Sequence, residues 1–478
     1  MLEFFTKRVI ESQGEKGIMK RLAVIILAAG KGKRMKSQRV KILHLLSGSP
    51  MLSYTLDLAR GLKAKRIVVV IGHQSEEVEN TFHEEGIDFC LQGKQLGTGD
   101  AVKCTQSVLK NFSGTVLILC GDAPLIKPET IKRLIQLHDS SRSKVSLLTT
   151  RMRNPAGYGR VVRDKKGRVS RIVEEKDAKE AEKRISEINT GIYCMEADFL
   201  FKTLPKIKRE NVQGEYYLTD VVSMAVKERK KVSALVVDDP DEVMGINDRI
   251  DLAKADLIMR QRINNELMKE GVTIIDPTVT YIDREVKIGR DTVIYPNCII
   301  KGSTVIGEGC LIESGSTIVD SEIGNGVVVR SCSVITESRV KDRVQVGPFA
   351  HLRPETQLEE GVKIGNFVEV KKSTIGKGSK ASHLSYIGDT TMGKGVNVGA
   401  GTITCNYDGK RKHPTYIGDR VFIGSDTQFI APVKIGKDSI IGAGSTITRN
   451  VPPESLAVSR VKQINYKRVF EKKPEKKG

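Results

Sequence analysis

The apolar run Leu22-Ala-Val-Ile-Ile-Leu27 leads directly into Ala28-Ala-Gly-Lys-Gly-Lys-Arg-Met35. A strand that opens into a glycine-rich basic loop is how α/β sheets cradle phosphates. Gly30 and Gly32 let backbone N–H groups come close, and lysine or arginine supplies charge. The spacing is neither Walker A nor G-x-G-x-x-G, so taken alone it also fits a basic surface turn. A second apolar run, Thr115-Val-Leu-Ile-Leu-Cys120, ends in Gly121-Asp122-Ala-Pro124 and puts a carboxylate at the carboxyl edge of the sheet. A lone aspartate there commonly caps a helix. Beside a phosphate loop it also suits Mg²⁺, a hard cation that takes one or two protein oxygens and completes its shell with nucleotide phosphates and water.

A different chemistry is suggested further along, in Ala350-His-Leu-Arg-Pro354, Val370-Lys-Lys372, His383-Leu-Ser-Tyr386 and the polar stretch from Asn397 to Asp408. Arg353 suits a phosphate by paired hydrogen bonds and Lys371 as a point charge, although either alone is ordinary surface charge. An imidazole such as that of His383, with a reference pKa of ~6.5, accepts a proton at neutral pH. A single histidine on a surface is more often inert.

These residues need two kinds of scaffold. From Leu22 to about Val243, short apolar runs alternate with mixed segments, as in an α/β sheet buried on both faces. Arg66-Ile-Val-Val-Val-Ile71 is a further strand, and Pro50 to Leu62 has helical spacing. This half reads as a doubly wound nucleotide-binding domain. Asp248 to Glu270 lacks proline and glycine, carries spaced apolar residues and stops at Gly271, which predicts a connecting helix.

Beyond it the period becomes six. Ile288, Ile294, Ile300, Ile306, Ile312 and Ile318 keep that beat, Val346, Leu352, Leu358 and Ile364 resume it, and Ile417, Ile423, Phe429, Ile435, Ile441 and Ile447 close it. A hexad suits a parallel β-helix, in which each repeat lays one short strand, points one aliphatic residue inward and turns at a small residue. The polar segments around Arg353, Lys371, His383 and Asn397 interrupt this beat. The last runs into a basic loop from Gly409 to His413, expected to project outward.

Composition narrows the partners. The 478 residues are too many for one ordinary core. With 28% charged residues and no apolar run approaching the ~20 residues of a membrane span, no integral membrane association is expected. Residues 1–18 carry scattered charges unlike a secretory signal peptide, and the fold is expected to begin near Met19. Eight cysteines without a CxxC pair fit a reducing, cytoplasmic setting, with Cys405 as a partly exposed thiol. A formal charge of +20 is spread along the chain without interleaved aromatics, so small phosphorylated substrates explain it better than nucleic acid.

Leu27 to Met35, Lys41, Gln92-Gly-Lys-Gln-Leu-Gly-Thr98, Gly121-Asp122, Gly157-Tyr-Gly159, Val173-Glu174 and Asn189-Thr-Gly191 resemble the sugar-nucleotide uridylyltransferase pattern. Together with the hexads, residues 20 to 465 resemble the bacterial bifunctional N-acetylglucosamine-1-phosphate uridylyltransferase/glucosamine-1-phosphate acetyltransferase family. The resemblance implies an α/β, Rossmann-like nucleotidyltransferase domain over 19–247, a linker helix over 248–271 and a left-handed parallel β-helix acetyltransferase domain over 272–465. An extension (1–18) and a basic tail (466–478) would flank them. It implies that Leu27, Gly30, Gln92, Gly97 and Thr98 hold the uridine nucleotide while Arg34 and Lys41 face the phosphates. Gly159, Glu174, Asn189 and Thr219 would hold the N-acetyl sugar phosphate, and Asp122 and Asn247 Mg²⁺. In the second half it implies His383 as general base and Arg353, Lys371, Tyr386 and Asn397 on glucosamine-1-phosphate. Ala400, Asn406, Tyr407, Ser425, Ala443 and Arg460 would line the acetyl-CoA site. Such enzymes are homotrimers using UTP and acetyl-CoA as co-substrates, with acetyltransferase sites shared between chains. Two positions depart from the pattern: Val40 stands where the family commonly has proline, and Lys33 where it has a smaller residue. A single-activity nucleotidyltransferase with a regulatory β-helix, or a non-enzymatic scaffold subunit, would combine similar domains without His383 or the Gly30 to Arg34 loop.

Overall fold

The computed structural model describes residues 22–72, 74–83 and 86–467, so the extension 1–18, Met19 and the tail beyond Lys467 lie outside the described residues. The chain falls into two compact units divided after Met259, a point inside the helix Arg249–Lys269. Asp248 Oδ1 caps that helix by accepting from the backbone N–H of Ile250 and Asp251, and Gly271 at φ +99° closes its far end, much as the sequence predicts.

In the first unit, alternation along the strands decides the layers. Leu22, Val24 and Ile26 pack into one apolar cluster and Ala23 and Ile25 into another, because successive side chains leave opposite faces of the sheet. The strands are β1 (Leu22–Leu27), β2 (Arg66–Ile71), β3 (Ile87–Leu91), β4 (Thr115–Cys120), β5 (Val145–Arg151), β6 (Arg160–Arg163), β7 (Val169–Val173), β8 (Glu187–Glu196) and β9 (Val232–Val237). Their order is β9-β5-β8-β4-β1-β2-β3, and the β6–β7 hairpin is attached through β8. Helices Met51–Gly61 and Pro128–Ser141 supply Leu52, Leu56, Ile131 and Leu134 to one face, while Ala101, Val102, Val221 and Val222 come from helices on the other. The sheet is therefore doubly wound. The chain runs from β1 to β2 and β3 on one side and returns to β4 on the other, so the switch point lies between the paired carboxyl ends Leu27 and Cys120. Not foreseen from sequence is β8, which runs antiparallel between β4 and β5.

In the second unit, strands mostly of two or three residues, with two of nine at Lys363–Lys371 and Lys380–Gly388, pair in parallel with the next coil, forming one 19-stranded and one nine-stranded sheet around a three-column core. One column runs through Ile294, Ile312, Val329, Val346 and Ile364, each buried. Coils normally repeat every 17 or 18 residues, and the interval opens to 25 where the loop from Asn406 to Pro414 is inserted. This is the hexapeptide-repeat β-helix expected. Its corners differ from expectation in one respect: the outer corner position has positive φ and is often large, as at Arg343, Glu355, Phe349 and Phe367, whereas the small residue sits just inside. Buried Ser, Thr and Cys such as Thr292, Cys298 and Ser316 fill that inner position, where space is limiting.

Glycine is indispensable at a few close approaches. A Cβ on Gly365 would collide with the Ser382 carbonyl oxygen of the next coil. Gly365→Ala must push the coils apart, a strain of about 2 kcal/mol. Melting of this half is expected to drop by about 5 °C in differential scanning calorimetry.

Candidate functional sites

At the switch point of the first unit, Leu27 ends β1 half-buried, and its carbonyl accepts from Gly121 N–H at 2.9 Å. Gly32 at φ +57° packs against the stem of Lys41, and a 3₁₀ turn over Lys33–Met35 leaves Arg34 exposed. Val40 has φ −55°, ψ 134°, an angle proline itself would impose, so the departure at this position leaves the loop path intact. Lys33 is exposed and does not crowd the turn. Lys41 Nζ donates to Asp122 Oδ2 at 2.5 Å and lies 3.3 Å from Asn247 Oδ1. Asn247 is aimed there by its backbone N–H donating to Asp251 Oδ2 and its Nδ2 donating to Gly245 O. One carboxylate and one amide oxygen thus converge on a single cation.

Beside the loop lies an open cleft of about 760 Å³ lined by Lys31, Gly72, Gln92, Gly93, Gln95 and Leu96. Gln92 is buried, and its Nε2 donates to Asp100 Oδ2 at 2.8 Å and to Gly97 O at 3.1 Å, which fixes the amide before any ligand arrives. Gly97, at φ +111°, lies against the Tyr216 backbone, where a Cβ would clash. Thr98 Oγ1 accepts from Leu218 N–H at 3.1 Å, tying this side to Thr219. Thr219 donates to Glu174 Oε1 at 2.9 Å. Burial pushes the Glu174 carboxyl up, and the neighbouring Asp177 and Asp220 add to it. Gly159 faces Glu174 Oε2, and its carbonyl accepts from Asn189 N–H. A bulge between Asn189 and Tyr193 turns Asn189, whose Oδ1 accepts from the Tyr193 hydroxyl at 2.9 Å. Cys120 is near this group, but burial pushes its thiol up to about 12, so it stays protonated.

In the second unit His383 sits at a corner of the strand Lys380–Gly388, and Ala400, Ser425 and Ala443 occupy that corner in successive coils. Arg460 reaches back to the Ala443 carbonyl. At the far end of the same strand a charged cluster forms. Lys371 Nζ is 3.4 Å from Asp389 Oδ2, with both side chains nearly buried, and Asn406 donates to the same carboxylate. Asn406 Nδ2 also lies 3.3 Å from the Tyr386 hydroxyl. Arg353 Nη1 pairs with Glu369 Oε1 at 2.8 Å, and Glu369 is the register neighbour of Tyr386. Lys412 swings back from the inserted loop to Lys371, whose proximity pushes the Lys412 amine down. Three basic side chains and two carboxylates thus gather here, leaving the cluster with one more basic group than acidic. Asn397 is exposed at the start of its strand. Of the two loop residues expected on acetyl-CoA, Tyr407 turns its hydroxyl into its own loop and donates to Gly409 O, while Asn406 joins the cluster through Asp389 and Tyr386.

Comparison with known proteins covers both units. The nucleotidyl transferase family model matches residues 23–241, and the bacterial transferase hexapeptide model matches 285–319 and 414–449. The bifunctional protein GlmU of Geotalea uraniireducens is 54% identical over 94% of this chain and 98% of its own length. That of Shouchella clausii is 49% identical over 92% of this chain and 97% of its own. The chain belongs to the GlmU family.

Membership gives the β-helix its left hand, the sense in which hexapeptide repeats wind. Several residues around the two GlmU-family sites escaped the sequence reading. Asp100, Asp251 and Tyr193 fix Gln92, Asn247 and Asn189, while Asp389, Glu369, Asn366 and Lys412 surround Lys371, Arg353 and His383. Polar side chains seated on neighbouring strands have no sequence signal until the register is known. Among the described residues, no helix is long and apolar enough to cross a membrane.

Proposed function

We propose that the chain acetylates glucosamine-1-phosphate with acetyl-CoA and then transfers UMP from UTP to the N-acetylglucosamine-1-phosphate formed. The products would be UDP-N-acetylglucosamine and pyrophosphate, the former feeding cell-wall and lipopolysaccharide precursors in the cytoplasm. The observation that carries this reading is that a glycine-rich basic loop beside an oxygen pair, and a strand with His383 at one end and a basic cluster at the other, occur together in one chain matched over its length by bifunctional relatives. Residues 19–247 perform the uridylyl step and 272–465 the acetyl step, with 248–271 as linker helix. Mass spectrometry of a mixture of protein, glucosamine-1-phosphate, acetyl-CoA, UTP and Mg²⁺, with each component omitted in turn, tests it. UDP-N-acetylglucosamine is expected only in the complete mixture, and its absence there sinks the proposal.

In the uridylyl step the sugar phosphate oxygen attacks the α-phosphorus of UTP and pyrophosphate leaves, which brings anions together. Arg34 and Lys41 offset that repulsion, Gln92 and the Gly97 to Thr98 turn hold the nucleotide, and Glu174, Asn189 and Thr219 hold the sugar. Asp122 Oδ2 and Asn247 Oδ1 fit Mg²⁺, since they already converge on the Lys41 ammonium and are oxygen donors. When bound, the ion would neutralise charge developing on the phosphates. In the acetyl step His383 takes a proton from the sugar ammonium, the amine attacks the thioester carbonyl, and the C–S bond breaks. The proton held by His383 then passes to the departing CoA sulfur, and the attacking nitrogen gives its second proton to solvent as the amide forms. Arg353 and Lys371 hold the phosphate, with Tyr386 and Asn397 on the sugar.

The acetyl site is shared within a homotrimer. Phe349, Phe367 and Leu384 form a column along the corner next to His383, at 52%, 57% and 64% exposure, with Phe349 and Phe367 stacked at 5.6 Å. All three have positive φ, a cost of about 1 kcal/mol or more for each bulky residue, and a second copy covering the column offsets it. Phe367→Asp is therefore expected to give monomers in size-exclusion chromatography with light scattering. Acetyl transfer would be lost and uridylyl transfer kept.

A further inference from the structure

Beside the acetyl-transfer cluster, Asn366 has no part in the steps above. It lies on the strand Lys363–Lys371 as the register partner of His383 in the adjacent coil, and its Oδ1 is 3.0 Å from His383 Nδ1. We propose that Asn366 is the positioning residue of the acetyl-transfer base, holding the proton of His383 on Nδ1 so that Nε2 faces the substrate amine with its lone pair free. This rests on the reading of His383 as the base.

An amide oxygen only accepts hydrogen bonds, so the ring nitrogen facing it must be the one that carries hydrogen. Without a partner, a neutral imidazole in water places its proton preferentially on Nε2, the atom that has to be empty here. The neighbouring backbone holds the acceptor in place. Gly365 leaves no room for a Cβ against the next coil, and ladder pairs at Ile364 with Ala381 and Val368 with Ser385 bracket the contact on both sides. Asn366 itself is free of positive φ, so replacing its side chain removes the contact without straining the turn. Being neutral, the amide selects the tautomer without adding a carboxylate to a region where Asp389 and Glu369 already face Lys371 and Arg353.

The test uses the full-length protein and steady-state acetyl transfer to glucosamine-1-phosphate. Asn366→Leu, similar in size but without an acceptor, is expected to lower kcat by about 10- to 100-fold, the usual loss when a histidine's supporting partner is removed. KM for both substrates should stay within about twofold. Asn366→Asp restores the acceptor and is expected to recover kcat to within about threefold at its own pH optimum. Asn366→Ala serves in place of the leucine variant if that one is not trimeric, and unchanged uridylyl transfer checks the rest of the chain. A leucine or alanine variant with wild-type kcat, a KM effect alone, or an aspartate variant as slow as leucine would overturn the positioning role. Retained acetylation by His383→Ala would instead overturn the reading of the base on which the role depends.

Discussion

Asp122→Ala is expected to lower uridylyl transfer by about 10³-fold or more while acetyl transfer is unchanged. That loss corresponds to about 4 kcal/mol of transition-state stabilisation. The carboxylate is the only charged member of the oxygen pair that converges on Lys41, the other being the amide of Asn247. Its removal leaves one neutral oxygen to hold a divalent cation. It also leaves the Lys41 ammonium, 10% exposed, without its counter-charge at 2.5 Å. The Asp122 carbonyl accepts from Ile246 N–H, a backbone contact that alanine preserves, so the segment leading to Asn247 stays in place. The check is pyrophosphate release from UTP and N-acetylglucosamine-1-phosphate, with CoA thiol release from acetyl-CoA followed in parallel on the same preparation. Asp122→Asn, which keeps shape and removes charge, separates the two contributions: if it matches the alanine variant, charge is what matters. Loss of both activities in a folded trimer would mean that the two sites are not independent.

The sequence displays the scaffold more openly than the side chains that tune it. The six-residue beat is legible because every coil must send an aliphatic residue into each core column, and the buried series from Ile288 to Ile447 is what that requirement leaves behind. The loop after β1 and Asp122 after β4 are legible for a similar reason, since each directly follows a strand apolar on both faces. The antiparallel course of β8 is not legible, because a buried run reads alike in either direction. The bulge at Asn189 is hidden in the same run. Asp389, Lys412 and Asn366 become neighbours of Lys371 and His383 only through coil stacking, where one-residue slips and the inserted loop change the interval from coil to coil. The exposed Phe349 and Phe367 run against the expectation of small corner residues, and their local strain marks a surface that does more than close a turn.

His383→Ala should show the opposite dissociation: acetyl transfer down by about 10²- to 10⁴-fold, the range for losing a general base, and uridylyl transfer from N-acetylglucosamine-1-phosphate unaffected. Starting from glucosamine-1-phosphate, the variant would form UDP-N-acetylglucosamine at a correspondingly reduced rate, and adding the acetylated sugar phosphate would restore the native rate. The basic cluster of Arg353, Lys371 and Lys412 contacts other side chains and does not depend on the imidazole, so KM for glucosamine-1-phosphate should change little. That split distinguishes a base from a binding residue, because removing a group used only in the transition state lowers kcat and kcat/KM together. A second signature follows from what the base does. Once solvent pH alone deprotonates the sugar ammonium, His383 is no longer needed for that step, so the variant's rate should keep rising with pH beyond the point where the native protein's rate has levelled. A variant whose rate follows the native pH profile at reduced height would assign His383 a purely structural part, and the proton would have to be taken by another group at the same corner of the β-helix.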